Sequence, residues 1–205
     1  MKKFIINNCM NYIKKHTDYN GIKLKEIEYG LVSIYLTFSK LIVVSIIAII
    51  LGIFKEMVIY VLIYNILRLP SFGLHATKSW ICLISTSILF IGLPYLCIYL
   101  NIPFIIKIFI CILGTIFMLK NAPADTKKRP IVNKKRRLIY KIISTILTII
   151  FGITSIIIKN NFVSNCLLMA IVMQNLMISP LTYKLFNLPY DNYKTFIKEH
   201  PEYNY

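Results

Sequence analysis

The sequence predicts an all-α, polytopic integral membrane protein with about six transmembrane helices, preceded by an N-terminal amphipathic helical segment. Hydrophobic residues make up 57% of the chain, and only 8 acidic residues accompany 24 basic ones. A soluble domain cannot hydrate so much apolar surface with so few charges. The apolar residues also fall into long runs, as required for helices that cross a bilayer with about 20 residues each.

Six apolar runs supply the predicted spans. They cover residues 31–54, 57–67, 80–100, 104–119, 138–158 and 162–179. The second run is short for a full crossing, and Pro180 ends the sixth because proline cannot continue the hydrogen-bond ladder of a helix. In residues 1–30, basic side chains are interleaved with apolar ones, which is typical of a helix lying in the membrane interface. A break in this segment is predicted near Asp18 and Gly21.

We treat residues 1–205 as a single integral membrane domain. Its predicted parts outside the spans are the interfacial N-terminal segment (1–30), a polar island at the membrane edge (68–82), a basic loop (120–137) and a tail (184–205). Most of the 24 basic residues fall in these four parts, which six spans place on one side of the membrane. Because cytoplasmic loops carry the excess of lysine and arginine, both termini and the island are predicted to be cytosolic in a multi-pass protein of the cell membrane.

The net charge of +16 raises nucleic-acid binding as one explanation of the basic residues. The lysines cluster in the gaps between apolar runs, however, and orientation signals in membrane proteins produce that distribution without a polyanion. We therefore expect no nucleic-acid partner and expect anionic lipid headgroups beside these charges.

The island places one imidazole and one thiol in the same short stretch. It opens with the sequence RLPSFGLH from Arg68 to His75, and Cys82 follows seven residues after the histidine. A cysteine thiolate is a strong nucleophile at neutral pH, and a neighbouring histidine is its usual activator. His75 and Cys82 are therefore the predicted catalytic residues, with Arg68 adding positive potential that favours the thiolate.

The catalytic pair cannot meet on one regular helix. A separation of seven residues puts both side chains on nearly the same face but about 10.5 Å apart along the axis, beyond hydrogen-bond reach. We predict that Cys82 lies in the first turns of the third span and that His75 lies on a bent segment folding back over it. Pro70 is expected to break the preceding helix, and Gly73 to permit the unusual backbone angles.

The other four cysteines have no comparable surroundings. They form no CxxC pair and lie in apolar runs or in the N-terminal segment, where cysteine behaves as a small hydrophobe. The spacing gives no support to a zinc site, and we expect neither a metal nor a cofactor.

Two motifs resemble the accessory gene regulator B family, membrane cysteine endopeptidases of Gram-positive quorum-sensing systems. The first motif consists of Arg68, Gly73, His75 and Cys82, which match the family at every spacing. The second is the sequence NAPADTKKRPI from Asn121 to Ile131, similar to the basic cytosolic loop of the family with its Ala-Pro-Ala core. The six-span layout and the length agree, so the resemblance covers nearly the whole chain. One departure is Phe72, because the family often has paired glycines before the histidine.

The resemblance implies an enzyme that removes the C-terminal tail of a short amphipathic AgrD-like pro-peptide. Cys82 would attack the scissile carbonyl to give a thioester, with His75 acting first as base and then as acid. A cysteine of the substrate would then capture the acyl group as a thiolactone, giving a cyclic autoinducing peptide. The candidates for binding an acidic substrate tail are Arg68, Lys127, Lys128 and Arg129, since a cationic face attracts aspartate and glutamate.

Two other functions suit a small polytopic protein, namely a peptide exporter and a non-catalytic membrane scaffold for a signalling kinase. An exporter would carry ionisable groups along a path through its spans, or an internal repeat. A scaffold would tolerate the loss of both His75 and Cys82. Neither alternative explains the spacing of the first motif. A homodimer is a reasonable expectation for so small a polytopic enzyme.

Overall fold

The computed structural model describes residues 2–17, 19, 21–74, 79–126 and 130–199, and the regular structure of these residues is entirely helical. The helices are α1 (Lys2–His16), α2 (Gly21–Ile50), α3 (Phe54–Ser71), α4 (Ser79–Ser87), α5 (Leu93–Tyr99), α6 (Phe104–Asn121), α7 (Lys134–Ile157), α8 (Asn161–Ile178), α9 (Pro180–Leu185) and α10 (Asn192–Glu199). A π-helical turn (Ile88–Gly92) joins α4 to α5. The predicted all-α class is confirmed.

Three helices in the described part of the chain are long and apolar enough to cross a membrane: α6, α7 and α8. Shorter apolar stretches cover Phe38–Ile50 in α2 and Leu83–Tyr99. Many large apolar side chains face outward, among them Ile105, which is 79% exposed, and Ile157, which is 74% exposed. An outer surface of this kind suits lipid rather than water. The helices therefore indicate a membrane protein, whereas the count of six spans stays a prediction.

Helix α8 is the central helix of the compact unit formed by residues 53–205. Half of its residues are buried, compared with about a tenth of those in α6, and it packs against α3, α5, α6 and α7. Its polar side chains bond to neighbouring backbones: Asn165 Nδ2 donates to the carbonyls of Cys97 (3.0 Å) and Leu100 (2.8 Å). Between apolar helices such bonds hold neighbours together, because no water satisfies the polar groups.

Helices α6 and α8 approach each other closely at Gly114. A Cβ atom at this position would lie 2.5 Å from Ile171 Cγ2, and the Gly114 carbonyl accepts a hydrogen bond from Asn175 Nδ2 at 3.1 Å. Isoleucine is stiff at Cβ, so a larger residue than glycine would force the helices apart. The packing of Ile171 against Gly114 fixes the C-terminal half of α8, which reaches the candidate site.

The ends of the helices follow sequence signals with two corrections. Helix α8 ends before Pro180, as predicted. Helix α3, however, passes through Pro70 and ends at Ser71, so the prediction that Pro70 breaks it is wrong. A proline in the last turn removes few backbone bonds, and the Phe72 N–H still donates to the Arg68 carbonyl at 2.9 Å. The first span was predicted to reach residue 54, but α2 ends at Ile50, because an apolar composition does not show where the chain turns.

Residues 1–52 form a second compact unit. In this unit α1 packs against α2, and Ile6 and Met10 of α1 are buried. The predicted break falls between the end of α1 at His16 and the start of α2 at Gly21, and is therefore confirmed; Asp18 itself lies outside the described residues. The assignment of residues 1–30 to the membrane interface and the treatment of the chain as one membrane domain stay predictions.

Candidate functional site

The structure describes part of the predicted site. Arg68 lies in the last turn of α3, Gly73 follows the end of α3, and Cys82 is the fourth residue of α4. The backbone of Cys82 is thus at the start of a helix, as predicted, whereas its side chain lies outside the described part of the structure. The remaining predicted site residues also lie outside it: His75, Lys127, Lys128 and Arg129. Their roles stay predictions.

Residues Ser71–Leu74, which we call the pre-histidine segment, leave α3 in an unusual backbone conformation. Gly73 has φ 115°, as expected of a glycine chosen for its backbone freedom. Phe72 has φ 57° and ψ −130°, a conformation that L residues rarely adopt and that costs about 1–3 kcal/mol. The ring of Phe72 packs edge-on against Tyr140, with centroids 5.1 Å apart, which offsets part of this strain. Glycine adopts such a conformation without this strain.

Backbone hydrogen bonds hold the pre-histidine segment on two sides. On one side, the Ala124 N–H donates to the Ser71 carbonyl (3.1 Å), and the Gly73 N–H donates to the Ala124 carbonyl (2.9 Å). On the other side, the Leu74 N–H donates to the Met177 carbonyl at the end of α8 (3.0 Å). A Cβ atom at Gly73 would lie 3.0 Å from that Met177 oxygen. The two motifs of the sequence therefore meet here, because Ala124 belongs to the second motif.

Arg68 bonds to the same segment through its side chain. Its Nη2 donates to the Leu74 carbonyl (3.1 Å), and its Nη1 donates to the Tyr64 hydroxyl (2.7 Å). The guanidinium is thereby fixed next to the residue that precedes His75. The contacts that the structure describes for Arg68 are with its own chain, so binding of a substrate tail by this residue stays a prediction.

Sequence reasoning missed Gln174, which lies on α8 and is fully buried. Its Nε2 donates to Ser71 Oγ (2.6 Å) and to the Phe72 carbonyl (2.8 Å). The available signal was an amide within a mostly apolar helix, since polar residues inside membrane helices are costly and face the protein interior. That signal does not reveal which segment the amide contacts.

An open cleft of about 330 Å³ adjoins the pre-histidine segment. It is lined by Phe72, Pro130, Ile131, Val132, Asn133, Arg136 and Tyr140. Arg136 is the charged member of this mostly apolar lining. It is one of four consecutive basic residues with which α7 begins, and the first turn of α7 contains no acidic residue. The N-terminus of a helix is itself positive, so this rim favours an anionic ligand.

A buried carboxylate anchors the C-terminal helix beside the same segment. Asp125 accepts hydrogen bonds from the backbone N–H groups of Asn192 (2.9 Å) and Tyr193 (2.8 Å), and so caps the start of α10. The Asp125 carbonyl accepts a hydrogen bond from the Tyr183 hydroxyl (3.0 Å). Burial raises the pKa of Asp125, and these backbone hydrogen bonds partly oppose the rise. Because Asp125 follows Ala124, adjacent residues hold the tail and the pre-histidine segment.

Basic side chains have few acidic partners within the described ranges. Lys194 and Asp191 form the ion pair found there, with Nζ and Oδ2 2.5 Å apart. The Arg137 guanidinium instead lies over the Tyr193 ring, 3.5 Å from its centroid. In the part of the chain that the structure describes, no three His, Cys, Asp or Glu side chains lie close enough together to hold a metal ion.

The fold and the site together define an all-helical membrane protein in which α8 and the α6–α7 connection fix the segment after α3. Accessory gene regulator B is the protein family that matches residues 6–178, and the chain belongs to this family. A putative AgrB-like protein of Clostridium acetobutylicum is 27% identical over 184 residues, which cover 90% of this chain and 88% of that protein. An accessory gene regulator protein B of Staphylococcus aureus is 29% identical over 180 residues, with 87% and 94% coverage. No solved structure matches the chain.

Replacement of Gly73 by alanine is expected to lower the free energy of unfolding by about 1–3 kcal/mol, because the new Cβ meets the Met177 oxygen in a backbone conformation unsuited to alanine. Thermal unfolding of the detergent-solubilised protein measures the change. Gly92→Ala is the control, since a Cβ there has its nearest neighbour at 4.0 Å. Equal unfolding temperatures for the two variants would contradict the strained geometry at Gly73.

Replacement of Asp125 by asparagine is expected to release α10. The N–H groups of Asn192 and Tyr193 donate to different carboxylate oxygens, and asparagine replaces one of these oxygens by an NH2 group that cannot accept. The cost of one unpaired buried donor is about 1–3 kcal/mol. Limited proteolysis with an epitope at the C-terminus measures the release as faster loss of the epitope. Asp191→Asn makes the same chemical change at an exposed ion pair, where the expected effect is small. Unchanged proteolysis of Asp125→Asn would show that other contacts hold the tail.

Proposed function

We propose that this protein is a membrane cysteine endopeptidase of an accessory gene regulator quorum-sensing system, with Cys82 as nucleophile and His75 as its base. The observation that carries the proposal is the fixed pre-histidine segment. Its backbone is hydrogen-bonded to Ala124 and Met177, and α4, which carries Cys82 near its start, begins five residues after the segment ends. His75 directly follows this fixed segment, and Cys82 lies at the start of the next helix. This arrangement supports a catalytic pair in which His75 folds back over Cys82.

In the proposed reaction His75 takes the thiol proton, and Cys82 Sγ attacks the carbonyl carbon of the scissile peptide bond. The C–N bond breaks, the acyl part stays on Sγ as a thioester, and the imidazolium protonates the leaving amine of the C-terminal tail. A thiol of the substrate then attacks the thioester, its proton passes to His75, and the acyl group moves to the substrate sulfur. Transfer of that proton to Sγ restores the thiol. The products are the released tail and a thiolactone peptide.

Ring formation competes with hydrolysis of the thioester. Exchange of one thioester for another is nearly balanced in energy, so attack by water would otherwise remove the activated acyl group. Exclusion of water at the edge of an apolar bundle favours the ring. The start of α4 also supports activation of the nucleophile, because the N-terminal turn of a helix stabilises a nearby thiolate.

The proposed substrate is a short AgrD-like pro-peptide with an acidic C-terminal tail. The cleft beside Phe72 offers apolar contacts to residues of that tail, and the basic residues at the start of α7 offer charge complementarity. We assign tail binding to Lys127, Lys128 and Arg129. Arg68 contributes potential at the same face, and its bond to the Leu74 carbonyl gives it a positioning role as well.

We further propose that both termini and the site face the cytosol, where anionic lipid headgroups balance the basic residues. The excess of 24 basic over 8 acidic residues supports this orientation. A homodimer is proposed as the working form, and the proposed chemistry requires no cofactor.

Cleavage of the co-expressed pro-peptide tests the proposed function. Intact mass would be measured for the wild-type protein, His75→Ala, Cys82→Ala and a variant lacking the other four cysteines. We expect both alanine variants to abolish cleavage, since each removes a reacting group, while the variant that keeps only Cys82 retains it. Cleavage by Cys82→Ala would refute the proposed nucleophile, and pro-peptide export without cleavage would favour an exporter.

Charge reversal tests the proposed tail binding. Changing Lys127, Lys128 and Arg129 to glutamate is expected to raise the KM for the pro-peptide at least about tenfold, which corresponds to about 1.4 kcal/mol of lost attraction. A pro-peptide with a basic tail should recover part of the loss. Normal membrane insertion without any such recovery would argue that these residues set only the orientation of the protein.

A further inference from the structure

We propose that Gln174 is a positioning residue that fixes the pre-histidine segment so that His75 reaches Cys82. This inference rests on the proposed function and adds to it a residue outside both sequence motifs. Gln174 is fully buried, and both of its amide hydrogens are directed at the segment, towards Ser71 Oγ and the Phe72 carbonyl.

The direction of these hydrogen bonds follows from the groups that accept them. Ser71 Oγ donates its hydrogen to the Leu67 carbonyl at 2.6 Å and therefore accepts from Gln174. The Phe72 carbonyl has no hydrogen to donate. The nitrogen of the amide, not its oxygen, must face the segment. Rotation of the amide by 180° would lose both bonds.

Among the residues that the structure describes, this orientation leaves Gln174 Oε1 buried without a hydrogen-bond partner. An unpaired buried acceptor carries a free-energy cost. Phe72, the residue whose carbonyl the amide holds, is in a strained conformation of similar cost. Two unfavourable features at one place are poorly explained by stability alone. They are expected where a fold holds a segment in a required geometry.

Helix α8 contacts the segment at two points one turn apart. The Gln174 side chain holds the carbonyl of Phe72, and the Met177 carbonyl accepts the N–H of Leu74. The close approach of α8 to Gly114 fixes the helix itself. Loss of the Gln174 bonds would leave the Phe72 carbonyl free to rotate, and the displacement would pass directly to the next residues of the chain. A misplacement of about 1 Å in a catalytic group lowers rates by about 100-fold.

The neighbouring residue Asn175 supplies a matched control. Its Nδ2 donates to the Gly114 carbonyl at 3.1 Å, and its Oδ1 also has no partner within the described part of the chain. Asn175 thus resembles Gln174 in chemistry, but its side chain is half-buried and its hydrogen bond joins α8 to α6 and not to the pre-histidine segment. Gln174→Met and Asn175→Leu each replace the amide by an apolar side chain of similar size.

The experiment compares these two variants of the full-length protein in proteoliposomes. Steady-state cleavage of the pro-peptide gives kcat and KM, and the rate of Cys82 alkylation between pH 5 and pH 10 is measured in a background lacking the other cysteines. For Gln174→Met we expect kcat to fall about 10–100-fold with KM nearly unchanged, and the alkylation midpoint to rise toward the value of a free thiol, about 8.5. For Asn175→Leu we expect both quantities to stay close to wild type.

Wild-type kinetics in Gln174→Met, or equal losses in the two variants, would overturn the inference. If Gln174→Met fails to fold, Gln174→Asn provides the decision: it keeps a buried amide but is one methylene too short to hold both acceptors, and an unchanged kcat would refute the positioning role. Absence of cleavage by the wild-type protein would refute the proposed function instead. The alkylation profile would then still decide whether Gln174 controls the reactivity of Cys82.

Discussion

The site depends on the hydrogen bonding of four backbone residues between two helices. When α3 ends at Ser71, the chain does not turn into solvent but passes between the α6–α7 connection and the end of α8. Buried backbone groups must find partners, and Ala124 and Met177 provide them. Glycine suits position 73, because a Cβ atom there would lie only 3.0 Å from the Met177 oxygen and φ is 115°. His75, which we propose as the catalytic base, is the next residue of the chain after this passage.

Helix α8 supplies much of this framework because it combines an apolar composition with a few buried amides. In a bilayer, an apolar face gives little preference for one neighbour over another, whereas each amide requires a particular partner. Asn165 bonds to the end of α5, Asn175 to α6 and Gln174 to the pre-histidine segment. The amides therefore determine which elements meet α8, and the apolar side chains fill the space between them.

The buried Asp125 carboxylate organises the region next to the pre-histidine segment. The Asp125 carboxylate caps α10, while the preceding residue, Ala124, pairs with the pre-histidine segment. The second sequence motif thus has two structural roles in addition to its basic residues. It connects the C-terminal tail to the candidate site and forms the edge of the cleft in which we propose that the substrate tail binds.

The sequence by itself determined the helical class, the membrane character and the family, because long apolar runs and motif spacing are local properties. It also gave the break before Gly21, the end of α8 before Pro180 and the need for an unusual backbone at Gly73. It was wrong about Pro70, since a proline near a helix end removes too few bonds to stop the helix. Only the tertiary structure decided that Gln174 and Asp125 belong beside the island. Their partners are about 100 and 67 residues away in the chain, and no local pattern specifies which buried donor meets which acceptor across such a distance.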